Sequence, residues 1–328
     1  MDSVKYALAA VTLKLFSISR RLYRFWGNIV GERKRVRAGL PEHYPNRAKR
    51  FLTWCEEHQA VRDGDRVLEI GTGWIHWESI VLRLFYDVEA TLFDVWDNRQ
   101  LEALKRYTEQ FEGLICKEME LDETQKQHIH RLIEMILKAD SFDDLYQSLG
   151  FQYVIAERGT LDLFPCELFN LVYSYSVLQH VRRAIVPKLI QDCYRVLKPG
   201  GFSIHFVDLG DHLVHFAGIR NMCEKNYLRY SNEIWRRYFE SRVRYFNRIQ
   251  RPEWLNLFHT AGLELVKEER RSCNIDAIKV ARIYEHLERH DLECRTLVMV
   301  HRKPHQCSVN QVLMGNPALH ADYLHSSS

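Results

Sequence analysis

The sequence predicts an α/β protein: a doubly wound, mostly parallel sheet of seven strands with helices on both faces, extra N-terminal helices and a helical cap. Three observations carry this. From residue 61 onward, short apolar runs alternate with helical stretches, the order expected of a parallel sheet built from crossover units. Runs such as Leu171–Tyr173 are apolar without alternation, as in strands covered on both sides. The glycines and carboxylates that break the pattern fall just after strands, at the edge where such sheets bind ligands.

The elements follow in order. Val4, Leu8, Val11, Leu15, Ile18, Leu22, Phe25 and Ile29 keep a 4–3 spacing, which puts one apolar stripe on a long first helix. The stripe predicts packing against the same protein or against a second copy, as a homodimer. Membrane-surface contact, supported by Arg20, Arg21 and Arg24, is the lesser alternative. A basic linker over 31–44 carries the breakers Gly39 and Pro41, and residues 45–60 read as a second helix. Residues 1–60 thus form an N-terminal helical extension.

The main domain is expected over 61–303. Asp63-Gly64-Asp65 turns the chain into a strand at Arg66–Ile70, followed by a glycine turn and a helix from Trp74 to Tyr86. A strand at Ala90–Asp94 leads to a helix from Asp97, and 114–150 is a helical insertion with Ile129, Leu132, Ile133, Ile136 and Leu137 at helical spacing. Strands follow at Phe151–Ala156 and Phe169–Ser174. A helix over Arg183–Leu197 stops at Lys198-Pro199-Gly200-Gly201, ahead of a strand at Phe202–Asp208. Residues 210–251 form the cap. Then come a helix (Pro252–Gly262), a strand (Leu263–Arg270), a helix (Asp276–His290), a strand (Cys294–His301) and a flexible tail over 304–328.

Bulk properties narrow the function classes. Hydrophobic residues make up 46% and charged residues 27% of the 328, as in a packed globular protein. Net charge is only +3, but residues 1–50 hold twelve Lys or Arg against Asp2, Glu32 and Glu42, leaving −6 on the rest. A solvated helix face is the favoured reading of that segment over an anionic partner. Eight scattered cysteines without a CxxC pair imply neither a zinc site nor a disulfide framework, and fit a reducing cytoplasm. The run Ala7–Ile18 is interrupted by Lys14 and is too short to span a bilayer; no secretory signal is expected.

The chemistry concentrates in Val67-Leu68-Glu69-Ile70-Gly71-Thr72-Gly73-Trp74, a strand entering a glycine turn. Glycine allows the unusual backbone angles and a close approach of ligand to main chain. Glu69 lies two residues before Gly71. Asp94 ends the second strand 21 residues after Gly73, where a carboxylate can accept both hydroxyls of a ribose. Phe169-Asn170-Leu171-Val172 continues through Tyr173-Ser174-Tyr175 and His180 to Leu197-Lys198-Pro199-Gly200-Gly201.

This combination resembles the class I S-adenosylmethionine-dependent methyltransferases, whose fold is Rossmann-like. The likeness runs over about 50–210 and more weakly to 303. It implies S-adenosylmethionine as cofactor, with Glu69, Gly71, Thr72 and Gly73 at its amino-acid half, Asp94 at the ribose, Glu157 at the adenine, and Ser174 and Tyr175 on the methionine side. A nicotinamide dehydrogenase competes for the glycine loop, but its GxGxxG pattern needs glycine where His76 stands. Two positions depart from the family: Ile75 replaces a third glycine, and Asn170 replaces a frequent Asp.

His180, after the fourth strand, is the candidate base for an acceptor that must lose a proton, with Tyr175 beside it. Asp208, Asp211, His212 and His215 form a second cluster after the fifth strand; no metal is expected, since their spacing matches no known cage. Phe216–Arg251 holds nine Lys or Arg and eight aromatics, suited to cover a small, anionic acceptor. Small-molecule methylation is therefore the leading reading. Cyclisation of the cofactor's own aminobutyrate arm, suggested by bulky Trp74, Ile75, His76 and Trp77, is the alternative. Nucleic-acid methylation ranks third, because the overall charge is near neutral and no RNA-binding motif occurs.

Overall fold

The computed structural model describes residues 2–16, 20–118, 121–241, 243 and 245–305. One sheet holds seven strands: β1 (Arg66–Ile70), β2 (Glu89–Asp94), β3 (Phe151–Ile155), β4 (Phe169–Tyr175), β5 (Leu197–Asp208), β6 (Glu264–Ser272) and β7 (Cys294–Arg302). Their order is β3-β2-β1-β4-β5-β7-β6. The first five pair in parallel, while β7 runs antiparallel to β5 and β6. Strand order reverses between β1 and β4, which opens a crevice at their carboxyl ends. Ile70 lies opposite Phe93, and Glu69 opposite both Leu92 and Tyr173, so the loops after β1, β2 and β4 leave the sheet at one level.

The helices are α1 (Asp2–Phe16), α2 (Arg20–Ala38), α3 (His43–Glu57), α4 (Trp77–Phe85), α5 (Leu101–Glu118), α6 (Glu123–Lys138), α7 (Phe142–Leu149), α8 (Val186–Val196), α9 (His212–Phe216), α10 (Asn232–Ile234), α11 (Arg251–Thr260) and α12 (Arg289–Leu292). Local chemistry sets several ends. Asp122 and Gln125 form a reciprocal capping box at α6. Ser141 caps α7, and Gly150 ends it at φ +72, directly before β3. Pro187 sits in the first turn of α8.

Alternating side chains serve two cores. Val67, Leu92, Leu171, Tyr173 and Ile204 face α3 to α7. Leu68, Ile70, Phe93 and Val172 face α8, α11 and the 156–168 loop, which fills its share with Leu161 and Phe164. A third cluster joins α1 to the cap: Tyr6, Ala10 and Leu13 pack on Leu213, Tyr227, Trp235 and Phe246. Lys225, fully buried, pins this unit to the sheet by donating Nζ to Gln250 Oε1 and the Cys294 carbonyl, each at 2.8 Å.

The architecture matches the expectation; several local details differ. α1 buries Tyr6, Ala9, Ala10 and Leu13, while Val4, Leu8, Val11 and Leu15 of the expected stripe stay 54–62% exposed. The Tyr6 hydroxyl donates to the buried Asp211 carboxylate at 2.7 Å, and its ring packs on Phe239 and Tyr230. A directed bond to a buried carboxylate, with two alanines allowing close approach, outweighs the larger aliphatic face. Ile18 lies outside the described residues, as does the Leu22 side chain.

Helix α2 continues through most of the expected linker, since its lysines, arginines and alanine are sound helix formers; the turn comes at Gly39, at φ +71. The helix expected over 276–290 is replaced by a short turn at Arg282–Tyr284 and by α12. There the Asn274 side chain accepts the Asp276 N–H, and Ala281 donates to Leu228 of the cap, diverting the backbone from helical pairing. β5 begins at Leu197, five residues earlier than expected, with a register shift against β4 between Phe169 and Leu171. Of the tail, residues 306–328 lie outside the described region.

Candidate functional site

The chain leaves β1 through Gly71 (φ +72) and Gly73 (φ +65). A Cβ on Gly71 would run into the Val177 side chain of the loop after β4. A Cβ on Gly73 would meet nothing nearer than the Gly71 carbonyl, at 4.0 Å. The first glycine lets two loops close on each other; the second leaves bare main chain facing open space. Asp94, at the end of β2, accepts the Gly73 N–H at 3.1 Å and the Val95 N–H at 2.7 Å. The glycine turn and the carboxylate therefore share one cleft. Burial pushes the Asp94 carboxyl up to about 6, against the pull of the Val95, Gly73 and Trp96 N–H groups.

Behind the loop lies a buried polar chain. Glu69 accepts from the hydroxyls of Ser79 and Thr72, and Ser79 is 2.6 Å from the Tyr173 hydroxyl. Thr72 Oγ1 lies 2.6 Å from His76 Nδ1, and His76 Nε2 lies 2.8 Å from the Tyr146 hydroxyl. Glu69 and Thr72 thus turn into the protein and support the turn from beneath. Burial, then the Glu78 charge, raises the Glu69 pKa; burial lowers that of His76 to about 3, so the imidazole is neutral. His76 holds a left-handed backbone, φ +50, and delays the start of α4 to Trp77, three residues past the expected start.

Glu157 is exposed in the turn after β3, and the Ala156 N–H donates to the Asp94 carbonyl at 3.0 Å, which keeps that turn beside the cleft. Ser174 is placed differently. It is buried, its Oγ lies 2.7 Å from His205 Nδ1, and His205 packs on Phe258 of α11, on the other face of the sheet from Tyr173. A one-residue step along a strand reverses the face, so Ser174 does not stand with Tyr175.

Tyr175 is stacked flat on Phe206, centroids 4.2 Å apart, with the Arg47 guanidinium 3.9 Å over the ring centre. Arg47 in turn makes a bidentate pair with buried Glu78. Burial pushes the Tyr175 hydroxyl up to about 12, so it stays protonated at neutral pH and suits a hydrogen-bonding wall better than a base.

His180 closes a short turn after β4, three residues beyond Val177. Its Nδ1 lies 2.7 Å from the Tyr245 carbonyl, which can only accept, so Nδ1 carries hydrogen and Nε2 holds the basic lone pair of the neutral ring. The His212 ring lies 4.7 Å away, and His212 Nε2 is 3.6 Å from Asp208 Oδ2. Burial pushes Asp208 up, but His212, Arg295 and the Gly210 N–H together hold it below the usual carboxylate range. Tyr245 lines a cavity of about 320 Å³ together with Arg183, Trp235, Arg236, Glu240 and Arg248. Among the described residues no group of three His, Cys, Asp or Glu is arranged to hold a metal.

A family model described as a methyltransferase domain matches residues 41–268, more than half of the chain. The chain belongs to this methyltransferase family. Its sheet, in the order β3-β2-β1-β4-β5-β7-β6 with one antiparallel strand, is the class I arrangement. No curated protein sequence matches the methyltransferase. Among solved structures it is similar to a Methanosarcina mazei S-adenosylmethionine-dependent methyltransferase, at 14% identity over 76% of this chain and 98% of that one, TM-score 0.41. It is also similar to Haemonchus contortus phosphoethanolamine N-methyltransferase 2 in complex with S-adenosyl-L-methionine, at 14% identity over 78% of this chain and 53% of that one, TM-score 0.45.

Sequence reasoning missed several residues around the candidate site. Arg35 of α2 lies 3.4 Å over the Trp74 ring and donates to Gln100, whose N–H donates to the Trp74 carbonyl. Arg47 and Arg295 were legible only as members of charged stretches. Val177 carried one signal, its place directly after the fourth strand.

Proposed function

We propose that this methyltransferase moves the methyl group to a small, anionic metabolite, in the cytoplasm, with Asp94 and the Gly71–Gly73 main chain holding the cofactor and His180 receiving the acceptor's proton. The observation that carries the reading is the shared cleft of Asp94 and Gly73. The residues fit an adenosyl group: Asp94 supplies acceptors for a ribose diol, Gly73 a bare backbone surface, and Glu157 an exposed carboxylate beyond β3 for an adenine amine. When bound, the cofactor supplies an activated methyl group, and its transfer leaves S-adenosylhomocysteine.

The remaining work belongs to the protein. Donor and acceptor must be held in line and water kept out; positioning of this kind supplies much of the acceleration for an already activated donor. Tyr175, fixed between Phe206 and Arg47, forms a rigid wall beside the cleft. An acceptor hydroxyl or ammonium gives up its proton to Nε2 of His180. In the cavity beside it, Arg236 and Arg248, with Arg183 paired to Glu253, outnumber Glu240 and favour an acceptor carrying carboxylate or phosphate.

The cyclisation alternative loses its motive: Ile75, His76 and Trp77 point inward, each 5% exposed or less, and only Trp74 faces out. Calorimetric titration with S-adenosylhomocysteine tests the cofactor half; wild type binds and Asp94→Ala does not. Incubation with methyl-labelled cofactor and fractionated metabolites tests the rest. Label should move into the anionic fraction. Methylthioadenosine released without acceptor, or label only in cationic products, would sink it.

A further inference from the structure

Among the described residues, helix α1 buries one face against the cap. Tyr6, Ala9, Ala10 and Leu13 are buried against the cap, held by the Tyr6–Asp211 bond and by Ser241, whose hydroxyl donates to the Leu13 carbonyl. The other face carries Val4, Leu8, Val11 and Leu15 in a row at helical spacing, with Phe16 at its end, all exposed. Exposed Phe25, Ile29 and Val30 add further apolar surface on α2. Scattered exposed hydrophobics need no account, but a row of large side chains along a whole helix does.

Charge narrows what covers it. Across 2–38 there are nine Lys or Arg against Asp2 and Glu32, a net of +7. A second copy would bring an equal positive segment against this one, and like charges repel. A negatively charged surface with an apolar layer beneath satisfies both features together. No helix among the described residues is long and apolar enough to cross a membrane, so contact of these helices would be superficial.

We infer that α1, with the basic helix α2 that follows it, docks the protein on an anionic lipid surface. Val4, Leu8, Val11 and Leu15 enter the headgroup boundary, and exposed Lys5, Arg33, Lys34 and Arg37 meet lipid phosphates. Since α1 rests on the cap, this contact holds the cavity beside Tyr245 near the lipid. The inference does not depend on the methyl-transfer reading.

Flotation with vesicles tests it, using the full chain. Phosphatidylcholine vesicles with a quarter phosphatidylserine should carry the protein up the gradient; pure phosphatidylcholine should not, and several hundred millimolar salt should release it. Leu8→Glu with Leu15→Glu changes only exposed positions, so thermal melting and S-adenosylhomocysteine binding should stay at wild-type values. Vesicle binding should fall about tenfold or more, because two charges replace inserted apolar groups. Equal binding to both vesicle types, undiminished binding by the variant, or no flotation with a concentration-dependent dimer that the variant abolishes would each overturn the proposal; the last would assign the face to a second copy.

Discussion

The Gly73 amide donates to the Asp94 carboxylate across 3.1 Å, joining the turn after β1 to the end of β2. Burial of this carboxylate makes the cleft pH-sensitive in two opposite directions. A carboxyl raised from 3.8 to about 6 by burial binds its proton more tightly in the folded state. Its contribution to stability is full below the unfolded value and is lost as pH rises through about 6, a swing of up to about 3 kcal/mol. Cofactor affinity runs the other way, because only the ionised group offers acceptors to both ribose hydroxyls. Melting and calorimetric curves from pH 4 to 8 should show the two opposed slopes, and Asp94→Asn should flatten both.

Gly71→Ala combines a left-handed backbone with a collision against Val177. It should cost about 1–3 kcal/mol in denaturant unfolding. Adding Val177→Ala should restore the packing part and leave the backbone part. Gly73→Ala has open space around it, so its stability loss should be smaller and its main effect a loss of cofactor affinity.

Arg47, half-buried under Tyr175, pairs with the buried Glu78 close to buried Glu69. Arg47→Met leaves buried Glu78 without its cation and should destabilise by up to about 3–5 kcal/mol. Arg47→Met with Glu78→Gln should recover most of that in a double-mutant cycle. Simple additivity of the two single changes would show that the pair is not coupled.

His180→Ala should lower kcat by about 10²–10⁴-fold if Nε2 accepts the acceptor's proton. Binding of S-adenosylhomocysteine should be unchanged, since His180 meets Tyr245 and His212 of the cap. An unchanged kcat would remove His180 from the chemistry.

The sheet was readable because its central strands β1, β2 and β4 are largely apolar and its glycines mark the turns; β1 was expected at its observed bounds. Contacts made across long sequence separations were not. Periodicity found a helix at Val4–Leu15 but named the wrong face as buried, because the Tyr6–Asp211 bond spans 205 residues and leaves no local trace. In the same way Ser174 and Tyr175 look equivalent in sequence, yet the pleat sends them to opposite cores. Glu69 was expected at the amino-acid half of the cofactor; that its carboxylate accepts from Ser79 shows only once α4 lies against β1.

Trp74 carries a consequence of its own. Its indole, 40% exposed, lies under the Arg35 guanidinium while its backbone borders Gly73. Any event that shifts the N-terminal helix or fills the turn alters the surroundings of that ring. The protein thus contains an intrinsic fluorescent probe, readable as the difference between wild-type and Trp74→Phe emission, that registers ligand arrival and helix displacement without a dye.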